Sequence, residues 1–446
     1  MEMNCRPSMR KKKIQASQLE LFLDYLCRMF DLYIHVIIDL PAKIELHKLR
    51  QAMSLVAARE PVISSRYIRI GNRAYWQFED SPDWDIEEVF PGDDRFDYSP
   101  ELIKKPSHPE SYFPISIRLI HLREKDRLHV RLSHILTDAG GSREFVYNLA
   151  TAYRKILTQP NARADTCFLK NRQFSGFKKC FKTFPFGFLL SGFIFDKISL
   201  LTPADYFKIP MKMCPKSDRK IVSLHIDSDR LFRLKKCGKK WSATLNDIFL
   251  AAFSRALSSC FHSAANIEKQ FGVIVTSDMR RYISRENFLS NLSNWRILKL
   301  GRLPLGARSD FLNNVVRVTR RWKKNLTGLG NFLFNMAFLK CNDYRSIRFL
   351  VRTLVSLNPS AKVCRIVFTN LGLLDRNKIN FGEGPCLNAY MYPPVGIPPL
   401  LIAGLSGCAD SLCLSIGYLN GSISTDTMKN LVEMIDQELY QLESIQ

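Results

Sequence analysis

The stretch LHVRLSHILTDAGGSREFVYNLA, from Leu128 to Ala150, predicts a strand that runs into a helix. Apolar and polar residues alternate in LHVRLS, which is the pattern of a strand with one buried face. In SREFVYNLATAYRKIL, Ser142 to Leu157, apolar residues return at helical spacing, so this segment predicts a helix. Gly140 and Gly141 lie between the two patterns and predict a sharp turn, because glycine has no Cβ to clash there.

His134 and Asp138 are the chemically interesting side chains of this junction. A histidine at the edge of a cleft, with a pKa near its usual value of about 6.5, can accept a proton at neutral pH. Asp138 can bond to the local backbone and to a cation, and so hold the turn. The pair fits a catalytic base with its support, and it also fits a capped helix start with an incidental histidine.

The first half of the chain, residues 1–160, alternates strands and helices. DLYIHVIIDL, Asp31 to Leu40, is apolar enough for a strand buried on both faces, and the helix that follows it stops before Pro61. PISIRLIHL (Pro114 to Leu122) and RLHVRLS (Arg127 to Ser133) predict a hairpin. These elements predict a first lobe.

Residues 161–219 form a basic, phenylalanine-rich join between the two halves. Residues 161–220 contain 12 lysines and arginines against four acidic residues, with phenylalanines interleaved. The segment fits a connection packed on the surface, a cationic and aromatic surface for anionic lipid or an acyl chain, or a surface that stacks single-stranded nucleic acid.

The second half, residues 220–446, begins again with a strand, KIVSLHID, and a strongly apolar helix, TLNDIFLAAFSRALSSCF. Like the first half, it ends in a hairpin-like pair of strands followed by an amphipathic helix. The order of elements therefore predicts two similar lobes of the α/β (α+β) class, each a mixed sheet covered by helices.

The composition of the chain is compatible with several kinds of binding partner. The formal net charge of +23 fits nucleic acid, an anionic membrane surface or a phosphorylated or acidic substrate carrier. The 12 cysteines include no C-x-x-C pair, which favours reduced thiols in the cytoplasm over disulfides or a zinc site, so no metal is expected. The N-terminus lacks the small-residue cleavage pattern of a secretory signal.

Several other functions lack their sequence signature. The chain has no G-x-x-x-x-G-K-[ST], dinucleotide glycine pattern, H-E-x-x-H or G-x-S-x-G, which disfavours nucleotide hydrolysis, hydride transfer, zinc hydrolysis and serine-elbow chemistry. It has no helix-turn-helix, zinc-finger or RNP-like motif, so nucleic-acid binding is disfavoured as well.

Six motifs, in order, resemble the chloramphenicol-acetyltransferase-like superfamily, which includes condensation domains, alcohol acetyltransferases and wax ester synthases. SHILTDAGG is similar to its HHxxxDG or HxxxD motif, which follows a strand and opens a helix. The others are LRQAMSLVAAREPVISSRY, SATLNDIFLAAFSRAL, VIVTSDMRRY with LSNLSN, VFTNLG and NFGEGP. The likeness covers nearly the whole chain.

The resemblance implies two lobes with a channel between them and an acyltransferase of the EC 2.3.1 kind. A coenzyme A or carrier-bound pantetheine thioester would be a co-substrate, with no permanently bound cofactor. His134 would act as the general base on an acceptor alcohol or amine, without a covalent acyl-enzyme. The same fold kept as a catalytically inactive binding or scaffold protein is the alternative. An acidic carrier protein and an anionic membrane surface are candidate partners, with the protein in the cytoplasm or peripheral to a membrane.

The resemblance also assigns supporting residues. Asp138 matches the structural aspartate of the motif, and Arg280, with Arg281 as the second choice, lies where its arginine partner is expected. Gly140 and Gly141 would take over the bend, since Ala139 stands where the motif has glycine. Candidates for contacts to substrate or oxyanion are Asn294, Thr369 and Asn370, and the two asparagines also fit a plain turn role.

Overall fold

The computed structural model describes residues 13–26, 31, 33–80, 82–90, 113–163, 172, 177–201, 205–214, 218–263, 269–283, 289–302, 306–340, 345–346, 348–349 and 364–444. The strands are β1 Lys13–Gln15, β2 Tyr33–Leu40, β3 Ser65–Ile70, β4 Arg73–Phe78, β5 Asp85–Val89, β6 Ile115–His121, β7 Asp126–Ser133, β8 Arg219–Ile226, β9 Gly272–Asp278, β10 Ser293–Lys299, β11 Ile366–Leu374, β12 Asn388–Tyr392, β13 Leu401–Cys408 and β14 Ser411–Leu419. The α-helices are α1 Gln18–Leu26, α2 Leu46–Arg59, α3 Ala139–Thr158, α4 Phe177–Thr183, α5 Phe186–Leu201, α6 Ser228–Lys240, α7 Leu245–Cys260, α8 Arg308–Lys324, α9 Leu329–Lys340 and α10 Thr425–Glu443.

The first lobe is built on a five-stranded sheet in the order β12-β2-β7-β6-β5. The predicted hairpin is confirmed, because β6 and β7 pair antiparallel with Ile115 opposite Leu132. All residues of β2 are buried, as its continuous apolar run predicts. Helices α2 and α3 pack on one face of this sheet, and their apolar residues share one core with alternate residues of β7. A separate three-stranded sheet, β1-β4-β3, adjoins this lobe.

The second lobe is built on a six-stranded sheet in the order β10-β9-β11-β13-β14-β8. Helices α7 and α10 cover it and share its core. The predicted strand pair near the C-terminus is the antiparallel hairpin of β13 and β14. In the TLND segment, Thr244 and Asp247 form a reciprocal capping box, which explains why α7 begins at Leu245. The polar residues of this motif therefore fix the start of a helix.

The sheets do not follow the simple division of the chain into a first and a second half. Strand β12, from the second half, completes the first lobe's sheet by pairing antiparallel with β2, with Asn388 opposite Asp39. Phe332 and Leu333 of α9 likewise lie in the first lobe's core. Hydrophobic periodicity predicts that a strand or helix forms but not which distant element it joins, so the sequence left these crossings unpredicted.

The described part of the join contains helices α4 and α5, and α5 packs on α9. A Cβ on Gly330 would collide with the backbone carbonyl of Leu189. The missing side chain therefore lets the backbones of the two helices come into direct contact. In the described part of the chain, every helix is too short or too polar to cross a membrane.

Candidate active site

The turn after β7 begins at Ser133 and ends at the cap of α3. The backbone amides of Leu136 and Thr137 both donate to the carbonyl of Ser133, at 3.0 and 3.2 Å. Asp138 is the N-cap residue of α3, with extended backbone angles, and its Oδ1 accepts a hydrogen bond from the amide of Gly141 at 3.0 Å. The helix therefore begins at Ala139, three residues before the predicted start at Ser142, because the aspartate supplies the cap.

Asp138 is 1% exposed and is bound from the second lobe. Its Oδ1 lies 2.7 Å from Nη1 of Arg280. Its Oδ2 accepts hydrogen bonds from the amide of Leu292 at 2.7 Å and from Oγ of Ser293 at 2.9 Å. Burial by itself raises the pKa of Asp138, but the Arg280 charge and these hydrogen bonds outweigh it and hold the pKa below its usual value. The carboxylate stays ionised and locks the turn of one lobe to the other.

Arg280 is the arginine that the resemblance implies, and the structure places it against Asp138. It is 6% exposed, and its guanidinium also lies 3.2 Å from Oδ1 of Asp278 and donates to the carbonyl of Ser290 at 2.6 Å. Arg281, the second choice, instead donates to Oγ1 of Thr327 at 2.8 Å. The two neighbouring arginines thus have different tasks, one at the His134 turn and one at the start of α9.

Position 140 needs a glycine because Arg280 packs against it on its way to Asp138, and not because the chain reverses direction there. Both Gly140 and Gly141 belong to the first turn of α3 and neither has a positive φ, so the predicted sharp bend at these glycines is wrong. A Cβ on Gly140 would lie 2.5 Å from Nη1 of Arg280 and 2.8 Å from Oδ2 of Asp278. The missing side chain leaves room for the guanidinium that reaches Asp138.

His134 is partly buried, and Asn291 fixes its ring. The Nδ2 amide group of Asn291 donates to the carbonyls of His134 and Ile135, at 2.9 and 3.1 Å. Its Oδ1 must therefore be the atom that faces Nδ1 of His134, at 3.0 Å. Because an amide oxygen only accepts, Nδ1 carries the hydrogen, and in the neutral ring Nε2 carries the lone pair. The arrangement defines which ring nitrogen of the neutral His134 side chain can accept a proton.

Sequence reasoning missed Asn291. It belongs to the same LSNLSN segment as the candidate Asn294, and two further residues of this segment, Leu292 and Ser293, bind Asp138. The sequence signal for Asn291 was that this polar segment directly precedes β10. Strand β10 pairs antiparallel with β9, so its first residue lies opposite the last residue of β9, next to Arg280. Its effect on His134 depends on a contact between residues 157 positions apart.

Asn294 is buried and holds the connection between α8 and α9. Its Nδ2 donates to the carbonyls of Thr327 and Gly328, both at 3.1 Å. Leu326 and Thr327 have positive φ values of 46° and 49°, which are unfavourable for these residue types. The amide of Asn294 thus stabilises a strained turn, the structural role left open for it above.

Thr369 and Asn370 lie on β11, away from the hydrogen bonds of the His134 turn. The hydroxyl of Thr369 is 2.6 Å from that of Thr276, and Nδ2 of Asn370 donates to Oδ1 of Asn246 at 3.3 Å. Asn370 is exposed, at a β-bulge where the pairing with β13 shifts by one residue. The structure brings together His134, Asp138, Arg280 and Gly140, and it places Thr369 and Asn370 in a separate group.

Comparison with known proteins shows which solved structures have a similar fold. No family model matches the sequence, and no curated protein matches it. Among solved structures, the chain is similar to TRI3 trichothecene 15-O-acetyltransferase from Fusarium sporotrichioides, with 13% identity and a TM-score of 0.69 over 97% of this chain and 96% of that one. It is also similar to the first condensation domain of the calcium-dependent antibiotic synthetase in complex with a substrate analogue, with 14% identity and a TM-score of 0.69 over 98% of each chain. A third neighbour is the epimerization domain from the third module of tyrocidine synthetase B, with 14% identity and a TM-score of 0.65 over 98% of each chain.

These similarities establish the fold. The chain has the two-lobed mixed α/β fold that condensation domains share with this acetyltransferase, as the order of its motifs predicts. The neighbours include an epimerization domain and a cyclization-docking bidomain as well, so one fold accompanies several reaction names. The reaction of this chain has to be argued from its own site.

Proposed function

We propose that this protein is an acyltransferase that moves an acyl group from a coenzyme A or carrier-protein thioester to an alcohol or amine. The observation that carries the proposal is the ring of His134, held by Asn291 with Nε2 as the basic nitrogen. It stands at the end of β7, on a turn that Asp138 and Arg280 fasten between the lobes. The acetyltransferase and condensation-domain neighbours support this reaction class.

In the proposed mechanism, Nε2 of His134 removes the proton from the acceptor hydroxyl or amine as its oxygen or nitrogen attacks the thioester carbonyl. The tetrahedral oxyanion then collapses, the carbon–sulfur bond breaks, and the leaving thiolate takes the proton from Nε2. The acyl group passes directly to the acceptor without a covalent acyl-enzyme. General base catalysis supplies a factor of about 10² to 10⁴, and orientation of two substrates supplies much of the rest.

Two residues of β11 are proposed to contact the substrate. The exposed Asn370 and its neighbour Thr369 are the candidates for polar contacts to donor or oxyanion. The amide group of Asn294 is used by the turn before α9, so we do not assign it to a substrate. The net charge of +23 supports an anionic donor, either the phosphates of coenzyme A or the surface of an acidic carrier protein.

A reducing, cytoplasmic location is proposed from the cysteines. Those that the structure describes are free thiols: Cys180, Cys214, Cys237, Cys260, Cys364, Cys386, Cys408 and Cys413. Buried free thiols are the usual form of cysteine in compartments that keep thiols reduced.

The test is an unbiased screen that follows thiol release from acyl-coenzyme A thioesters of different chain lengths, each offered with alcohols and amines. His134→Ala should lower kcat/KM by about 10²- to 10⁴-fold and keep the melting temperature. His47→Ala is the matched control, because the His47 side chain is 66% exposed on α2, and it should keep full activity. Turnover that survives His134→Ala would refute the assignment. No turnover with any thioester, together with thioester binding that His134→Ala leaves unchanged, would favour the catalytically inactive relative.

A further inference from the structure

The first ten residues of helix α5, Phe186 to Phe195, are all apolar or glycine except Ser191, and yet the helix lies at the surface. Its sequence is FGFLLSGFIFDKISLL, and a helix of this kind is ordinarily buried in a protein core or in lipid. Phe186, Phe188 and Ile194 are nevertheless exposed by 57%, 42% and 47%. Single exposed apolar side chains are ordinary, whereas a group of them on one helix marks an interaction site.

The helix is held firmly on its inner side. Gly192 lies against Asn325, whose Oδ1 would be 2.6 Å from a Cβ at that glycine. The ring of Phe334 on α9 lies 4.7 Å from the ring of Phe193 and 6.1 Å from that of Phe186. Because α5 is packed on this side, its outward apolar residues belong to a built surface.

A second anchor places arginines beside the same helix. The ring of Phe195 has the guanidinium of Arg296 at 4.7 Å and that of Arg321 also at 4.7 Å. Such cation–π contacts fix the ring to β10 and to the last turn of α8. The apolar helix is thus attached to the most basic part of α8.

Basic residues outnumber acidic ones around α5. Residues 177–195 and 317–340 contain lysines and arginines and no aspartate or glutamate, and Asp196 is the one acidic residue in the sequence of α5 itself. Lys182, at the end of α4, and Lys324, at the end of α8, are exposed, and Asn325 after Lys324 is the residue that touches Gly192. We call this face, with Phe186, Phe188, Ile194, Lys182 and Lys324, the α5 surface.

We propose that the α5 surface binds an anionic lipid bilayer. Aromatic and aliphatic side chains that enter the boundary between headgroups and acyl chains, flanked by cations that meet lipid phosphates, are the two elements of interfacial membrane binding. A protein partner could take up the same apolar residues, but the excess of basic over acidic residues around them favours a continuous anionic surface. This proposal does not depend on acyl transfer.

The experiment is sedimentation of the purified full chain with vesicles, one set of phosphatidylcholine alone and one with an equal amount of phosphatidylglycerol. Binding is expected to the mixed vesicles, weaker at high salt. Phe188→Asp with Ile194→Asp should lower the partition coefficient roughly tenfold or more, because two inserted apolar side chains become charged. The charge-reversal pair Lys182→Glu with Lys324→Glu should lower it as well, and serves if the first pair does not fold. Protein with His134→Ala should bind as the unchanged chain does, which separates this result from the proposed reaction.

Phe232→Asp is the matched control. Phe232 is 69% exposed on the basic helix α6, outside the α5 surface, so its replacement should leave vesicle binding unchanged. Equal binding to the two vesicle types, no binding to either, or an equal loss in the control and in the α5-surface variants would overturn the proposal.

Discussion

Replacing Asp138 by asparagine tests the lock between the lobes most directly. Donors surround both carboxylate oxygens, since Oδ1 faces Arg280 and the amide of Gly141 while Oδ2 faces the amide of Leu292 and the hydroxyl of Ser293. An amide has one oxygen, so in either orientation its NH₂ group would point at donors. The substitution is nearly equal in size, yet it leaves a buried guanidinium without its main counter-charge.

The expected cost can be estimated from the contacts that remain. Removing one partner of a buried ion pair typically costs about 3–5 kcal/mol. Arg280 keeps Asp278 at 3.2 Å and the carbonyl of Ser290, so a loss of about 3 kcal/mol is expected in the Asp138→Asn variant. Domains are stable by about 5–15 kcal/mol, so urea unfolding should show the loss as a clearly lower midpoint.

Asp278→Asn is the control, because Asp278 contacts the same guanidinium but its side chain is 39% exposed. A half-exposed ion pair contributes about 1 kcal/mol or less. If Asp138→Asn costs no more than Asp278→Asn, the carboxylate of Asp138 does not hold the lobes together and the reasoning fails.

The remaining predictions concern two histidine environments. Asn291→Ala should lower kcat/KM for acyl transfer by about tenfold to a hundredfold, because the His134 ring loses the acceptor that sets its tautomer; the ring-nitrogen NMR shifts of His134 should change with it, and unchanged shifts would exclude this role. His35 and His129 form a buried pair, Nδ1 to Nε2 at 2.9 Å, in which burial and then Arg131 lower the pKa of His35 from 6.5 to about 3, and burial, His35 and Arg131 hold that of His129 well below 6.5. Their contribution to stability is complete above pH 6.5 and is lost as the pH falls from there toward 3, since the unfolded chain takes up protons that the folded pair refuses. Between pH 6.5 and about pH 5, the free energy of unfolding should fall by about 2 kcal/mol for each histidine that stays neutral in the folded protein. A His35→Leu/His129→Leu variant whose free energy of unfolding falls as steeply with decreasing pH would contradict this.

Local pattern predicted the elements around the site well. The strand that ends at Ser133, the hairpin before it and the helix after Asp138 are confirmed, with α3 starting three residues early because of its cap. The amphipathic helices and the final hairpin of the second lobe are confirmed as well. Periods of 2 and 3.6 residues are properties of short segments, so a single sequence shows them.

The contacts between segments could not be predicted in the same way. Leu292 and Ser293 bind Asp138 across 154 and 155 residues, and β12 crosses into the sheet of the first lobe. None of these residues has an unusual local sequence pattern, since a backbone amide, a serine and a short apolar strand occur throughout any globular protein. Which distant residues they contact is determined by the topology of the fold.

The contacts that join the two lobes and the tautomer of His134 bear on different questions. Asp138, Arg280 and Gly140 join the lobes whatever the protein does, so an inactive relative of this fold has the same need for them. The contacts that join the lobes do not require any particular tautomer of His134. Asn291 nevertheless holds the ring in the tautomer in which Nε2 is the basic nitrogen. The decision between an enzyme and a scaffold therefore depends on His134 and Asn291. A His134→Ala variant that lowers kcat/KM by about 10²- to 10⁴-fold while the midpoint of urea unfolding stays unchanged would decide for the enzyme.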